Sequence, residues 1–220
     1  FLGAAFLGGH VESALLQTMA CLLYVAIRNW RSLFVVVGVA LLGSLLASVV
    51  LLPFIQYLLE SATYAQRSIG DRNPYFLSLR WSPALILPYY LGSPVQAKSL
   101  SETWNFGNFV YFLYLGVIPL FLASLTPFYR SFRSYSIALG ILFFWAFAIL
   151  FGLPGVFDLF TYPPILRQGN HVHILQIFQG IGSVLAGIGM SAIRDRILDK
   201  RTLVGISIVA LCLLGLAIYS

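Results

Sequence analysis

The segment TYPPILRQGNHVH brings three cationic or titratable side chains together just before an apolar stretch: Arg167, His171 and His173. Arginine binds phosphate through a bidentate fork, and histidine can donate or shuttle a proton. A bound anion would also be stabilised by the positive start of the helix that follows. The pattern therefore predicts a phosphate-binding group. The alternative is a pair of interfacial histidines beside an arginine whose charged head extends towards water.

A second polar group opens the first apolar stretch. His10, Ser13 and Gln17 fall on one face of a helix, whereas Glu12 points elsewhere. One interpretation is a polar wall that lines a cavity, because ionisable groups at helix ends in lipid are costly and usually face one. The alternative is helix capping, with the acid in water near the positive end of the helix dipole.

The sequence carries no motif that binds a cofactor or a metal. It has no Walker loop, no GxSxG and no HExxH motif. His171 and His173 make a weak metal pair, because helix positions at that spacing diverge. Cys21 and Cys212 both lie within apolar runs, where thiols are usually inert. We therefore predict no cofactor and no bound metal.

The composition is that of an integral membrane protein. Of 220 residues, 60% are hydrophobic and 9% are charged, and the mean hydropathy is +0.90. Soluble domains have about 25% charged residues, so this chain cannot cover a water-facing surface. The net charge of +6 fits basic cytoplasmic loops, and no nucleic-acid partner is expected. The chain starts at Phe1 and stops after an apolar run, so we expect an internal fragment of a longer protein.

The apolar stretches predict an all-α, polytopic bundle of about six transmembrane helices, since a helix needs about 20 apolar residues to cross a bilayer. The whole chain, 1–220, is predicted to be a single transmembrane domain. The predicted helices cover residues 11–27, 33–59, 109–125, 136–153, 172–193 and 203–219.

The loops predict the orientation. The three short connections hold most of the basic residues: Arg28, Arg31, Arg130, Arg133, Arg194, Arg196, Lys200 and Arg201. By the positive-inside rule these connections are cytoplasmic, which makes residues 60–108 and 154–171 the two outer loops. The first outer loop includes Trp81–Pro94, an apolar and aromatic stretch interrupted by prolines and too short to span. It predicts a re-entrant or interfacial segment, which serves either as an anchor or as a wall of a lipid-substrate groove.

Several segments together resemble the YfhO-like bacterial membrane proteins. GGHVESALLQTMACLLYVAIR, residues 8–28, is similar to the family's "GHPQ" helix opening, and LLPFIQYLL, from Leu51, to its "LLPFLELL" segment. NFVYFLYLGVIPLFLASL, from Asn108, resembles "YVGxLPLLLAL". LPGVFDLF, PPILR and LAGIGM resemble "LP…LP…R…LAGxG". The matching order runs through nearly the whole chain.

The resemblance implies a GT-C-type membrane glycosyltransferase, or part of one, in the bacterial cytoplasmic membrane. Such an enzyme moves a sugar from a polyprenyl-phosphate carrier to an extracytoplasmic polymer or lipid. Its partners would be the bilayer, the lipid-linked sugar and a cell-envelope acceptor. Arg167 matches the family's first arginine, and His171 stands where a second arginine is usual. The acid that is usually catalytic would precede Phe1.

The glycosyltransferase hypothesis assigns an expected role to each of the two polar groups. We expect Arg167, His171 and His173 to bind the substrate phosphate. His10 and Glu12 are expected to be catalytic, near the sugar or the acceptor, because the acceptor hydroxyl needs a general base. Two alternatives stay open: a transporter or flippase for a lipid or small solute, and a membrane assembly subunit without catalysis.

Overall fold

The computed structural model describes residues 6, 10–61, 76–87, 90, 113–163, 166, 171–195 and 204, and all statements below concern these residues. Within them the regular structure is helical, without a strand, which confirms the predicted helical class. The α-helices are α1 (Val11–Asn29), α2 (Leu33–Leu46), α3 (Ser48–Glu60), α4 (Val117–Leu125), α5 (Arg133–Leu150), α6 (Val156–Thr161) and α7 (Leu175–Arg194). Short 3-10 helices cover Trp30–Ser32, Leu79–Leu85, Thr126–Phe128, Arg130–Phe132 and His171–Ile174.

Three helical stretches are long and apolar enough to cross a membrane: Val11–Leu46, Arg130–Leu150 and His171–Arg194. Two shorter apolar stretches, Ser48–Tyr57 and Val117–Phe128, accompany them. The predicted helix at 203–219 lies outside the described residues except for Val204. The structure therefore supports a membrane protein with three candidate spans, and the count of six stays a prediction.

Apolar side chains cover the outside of α2 and α3. Phe34, Leu46 and Val49 have 74%, 72% and 80% of their surfaces exposed. In water such a surface would be strongly unfavourable, whereas lipid chains solvate it without cost. The two helices are separated at Ala47, where the backbone leaves helical geometry, and Pro53 lies inside α3. The predicted continuous helix over 33–59 is therefore two helices in the structure.

The chain divides into two compact units, of which unit 1 comprises Phe1–Phe76 and Trp145–Ile177. In unit 1, α1 ends at Asn29, whose backbone angles (φ −157, ψ 82) are not helical, and α1 contacts α2. The start of α1 also contacts the 3-10 helix His171–Ile174, so two segments far apart in sequence meet there. This contact is what positions the candidate site.

Unit 2 comprises Leu77–Phe144 and Phe178–Ser220. The predicted interfacial segment begins here as the 3-10 helix Leu79–Leu85, with Trp81 buried, while most of the residues beyond Leu87 in that segment lie outside the described part. The carbonyl of Leu85 accepts N–H groups from Leu115 and Gly116 at 3.0 and 2.9 Å, just before α4 begins. These bonds fix the segment to the start of α4.

Candidate functional site

The site is centred on Glu12, in the first turn of α1, and His173, in the 3-10 helix that precedes α7. Nε2 of His173 lies 3.6 Å from Oε2 of Glu12. This distance is within ion-pair range and longer than a hydrogen bond. The contact between α1 and residues 171–174 therefore brings a carboxylate and an imidazole together.

His10 completes this group, which we call the His–Glu cluster (His10, Glu12 and His173). The rings of His10 and His173 meet edge to face, with centroids 4.4 Å apart. Nδ1 of His10 accepts the backbone N–H of Ser13 at 3.4 Å and lies 3.0 Å from the Ser13 hydroxyl. His10 thus caps α1, and this contact assigns the ring proton of a neutral His10 to Nε2.

Exposure differs across the cluster. The side chain of His173 is only 9% exposed, whereas that of Glu12 is 34% exposed and His10 lies at the surface. A substrate arriving from solvent would therefore meet Glu12 and His10, with His173 behind them. Buried histidines beside a carboxylate usually orient that carboxylate or exchange a proton with it.

His171 occupies a different environment from His173. Its Nε2 lies 2.7 Å from the carbonyl of Leu166, and its ring meets Phe157 and Phe160 edge to face at 5.2 and 5.6 Å. It is 2% exposed, and both phenylalanines belong to α6. His171 therefore links Leu166 to the two phenylalanines of α6.

The predicted phosphate group is thus distributed over two environments. Arg167 lies outside the described residues, His171 is bonded to the carbonyl of Leu166, and His173 faces Glu12. The neighbouring carboxylate makes the position of His173 less favourable for an anion, because like charges repel strongly where water is scarce. The geometry favours proton transfer over phosphate binding at the His–Glu cluster.

The sequence did not reveal that Glu12 and His173 meet. Helical periodicity placed Glu12 away from the face of His10, and the spacing around His173 grouped it with Arg167. The one available signal was topological, since both residues lie at the start of predicted helices, 11–27 and 172–193, that begin on the same side of the membrane. Among the residues that the structure describes, no group of three His, Cys, Asp or Glu side chains is placed to hold a metal.

Comparisons with protein-family models, curated proteins and solved structures find no match for this chain. The resemblance to YfhO-like proteins therefore stays a hypothesis from the sequence. The function has to be argued from the chemistry of the His–Glu cluster and from its position at the start of an apolar helix.

Proposed function

We propose that this chain is a membrane glycosyltransferase, or part of one, that moves a sugar from a polyprenyl-phosphate carrier to a hydroxyl group of a cell-envelope acceptor. The observation that carries the proposal is the His–Glu cluster, in which a partly exposed carboxylate is backed by a buried histidine. Carboxylate and imidazole groups held at the end of a membrane helix commonly line a substrate cavity. The resemblance to YfhO-like proteins supplies the substrate class.

In the proposed reaction, the oxygen of the acceptor hydroxyl attacks the anomeric carbon of the sugar. The Glu12 carboxylate accepts the proton of that hydroxyl in the same step. The bond from that carbon to the phosphate oxygen breaks, and polyprenyl phosphate leaves with the electron pair. Glu12 is left protonated and returns the proton to water, which reaches it because it is partly exposed. His10 is exposed and packs against His173, and we assign it a contact with the sugar or acceptor.

The leaving phosphate needs positive charge, and we assign that role to Arg167. His171 accompanies it in the proposal, because it bonds the carbonyl of Leu166, the residue directly before Arg167. This bond anchors Leu166. The proposed topology places the cluster and this segment on the outer side of the bacterial cytoplasmic membrane, in a bundle of about six helices.

The proposal is tested by reconstituting the protein in liposomes with a radiolabelled polyprenyl-phosphate sugar and an acceptor. We expect Glu12→Gln to lower the transfer rate by roughly 100-fold or more, as removal of a general base does. Glu60→Gln is the matched control, since it is the same substitution at an exposed position at the end of α3. We expect Glu60→Gln to leave the rate unchanged, and Arg167→Ala to abolish transfer.

Two outcomes would contradict the proposal. Equal rates for the wild type and Glu12→Gln would exclude Glu12 as the base. Movement of the labelled lipid between leaflets without cleavage of the sugar–phosphate bond would favour the flippase alternative.

A further inference from the structure

Glu12 and His173 differ in burial, and the proposed reaction does not by itself require this difference. Glu12 is the more exposed partner and His173 is nearly buried, with Nε2 of His173 3.6 Å from Oε2 of Glu12. The rings of His10 and His173 also meet edge to face, with centroids 4.4 Å apart, so His173 has a second contact besides Glu12. A half-exposed glutamate has three side-chain torsions, and a firmly held neighbour can restrict which rotamers it adopts.

We infer that His173 is a positioning residue that holds the carboxylate of Glu12 towards the acceptor hydroxyl, and that it does not bind the substrate phosphate. This inference rests on the proposed function for its consequence in catalysis. Buried behind Glu12, His173 acts on the substrate through Glu12. Its role is analogous to that of a group that orients the base in other proton-transfer sites.

The helical elements account for this arrangement. His173 lies in a 3-10 helix of four buried residues, His171–Ile174, which leads directly into α7. Glu12 lies in the first turn of α1, whose start is fixed by the cap that His10 provides. Both ends of the contact are therefore attached to rigid backbone, which is what accurate placement of a catalytic group requires.

Two substitutions of His173 separate positioning from packing. In His173→Gln the amide nitrogen takes the place of Nε2, so a polar nitrogen is retained near Glu12 while the ring is lost. In His173→Phe a ring of similar size retains the ring contact with His10, while the polar nitrogen near Glu12 is lost. A purely structural role predicts that phenylalanine is tolerated better, whereas a positioning role predicts that glutamine is.

In the liposome assay, we expect His173→Phe to lower kcat by about 10- to 100-fold, the loss typical of a misplaced catalytic group. KM for the lipid-linked sugar should not change, because His173 does not touch the phosphate. His173→Gln should keep kcat within a few-fold of the wild type. Wild-type activity in His173→Phe, equal losses in both variants, or a loss confined to KM for the lipid-linked sugar would each overturn the inference.

A second measurement does not depend on transfer activity. Thermal unfolding in detergent is compared for Glu12→Ala in three backgrounds: wild type, His173→Gln and His173→Phe. We expect Glu12→Ala to shift Tm by similar amounts in the first two backgrounds and by much less in the third, because only there is the contact already absent. If the wild type transfers no sugar but this coupling is present, the proposed function fails and the positioning of Glu12 stands. If all three shifts are equal, the positioning is wrong.

Discussion

The two compact units of this chain use their close contacts differently. In unit 1, Glu12 and His173 meet at 3.6 Å, a distance within ion-pair range but longer than a hydrogen bond. In unit 2, the hydroxyl of Tyr129 donates to the carboxylate of Asp195 at 2.5 Å, so that acid is already engaged in a short hydrogen bond. We expect the first carboxylate to take part in the proposed reaction, whereas the second connects two parts of the fold.

The two units also differ in what lies next to their glycines. In unit 2, Gly189 of α7 lies against the backbone of Leu122 in α4, so close that a Cβ atom would overlap the carbonyl group. In unit 1, the three atoms nearest to a Cβ built at Gly152 all belong to the side-chain ring of Phe76. A ring can turn, whereas a helix backbone cannot move without its neighbours. Unit 2 is therefore expected to be the less tolerant of change, and unit 1 the more adaptable.

The largest effect on stability is expected from Gly189→Ala in unit 2. The added Cβ overlaps the carbonyl of Leu122, so α4 and α7 must separate locally. Overpacking of this kind costs about 3 kcal/mol or more. The measurement is the thermal unfolding of the purified protein in detergent, followed by tryptophan fluorescence.

Gly187→Ala is the matched control for this prediction. It is the same substitution in the same helix, and a Cβ at this position has nothing within 4 Å. We expect it to be neutral or to stabilise by up to about 1 kcal/mol through helix propensity. Similar Tm values for the two variants would show that α4 and α7 do not approach each other as closely as described.

A smaller effect is expected from Gly152→Ala in unit 1. Gly152 has φ +61, a conformation that costs a residue with a side chain about 1–2 kcal/mol. The added Cβ would also come within 2.5 Å of the Phe76 ring, which can rotate to relieve part of the clash. We expect a loss of Tm between those of Gly189→Ala and Gly155→Ala.

Gly155→Ala separates the two contributions, because Gly155 has φ +83 but open space around a Cβ. Its loss of stability therefore reports on backbone strain without a clash. If it destabilises as much as Gly152→Ala, the ring of Phe76 contributes nothing, and the contrast between a side-chain neighbour and a backbone neighbour has no support.

The sequence was sufficient for the helical class and for the apolar stretches, because both depend on local composition. The predicted stretch 11–27, for example, corresponds to α1, Val11–Asn29. The division of the predicted helix 33–59 at Ala47 was not visible, since Pro53 was the only local signal and it lies inside α3. Local sequence signals do not show where tertiary packing will break a helix.

The pairing within the candidate site could not be predicted for a related reason. His10 and Glu12 were identified as polar groups by their position at the start of an apolar stretch, and His173 by its neighbours in sequence. Their meeting depends on which helix starts pack together, and nothing within either segment encodes the partner. The sequence therefore supplied the chemical groups, and only the fold supplied their combination.

The smallest expected effect on stability comes from removal of the Tyr129–Asp195 hydrogen bond. The contribution of this bond can be recognised by its dependence on pH. This bond lowers the pKa of Asp195 from its usual 3.8, and it raises the pKa of Tyr129 from its usual 10.0. The contribution of Asp195 to stability is present above its usual pKa and is lost as the pH falls through the lowered value. That of Tyr129 is present below its usual pKa and is lost as the pH rises through the raised value.

Tyr129→Phe should therefore lower Tm by a few degrees at most, by a constant amount between about pH 5 and pH 9. The difference from the wild type should shrink below about pH 4 as Asp195 is protonated, and above about pH 10 as Tyr129 loses its proton.

Asp195→Asn should give a similar loss, and adding it to Tyr129→Phe should cost little more, because the two residues act as a pair. Neither variant should change the sugar-transfer rate, whereas Glu12→Gln should. If Asp195→Asn lowers that rate as much as Glu12→Gln does, the assignment of one carboxylate to chemistry and the other to structure is wrong.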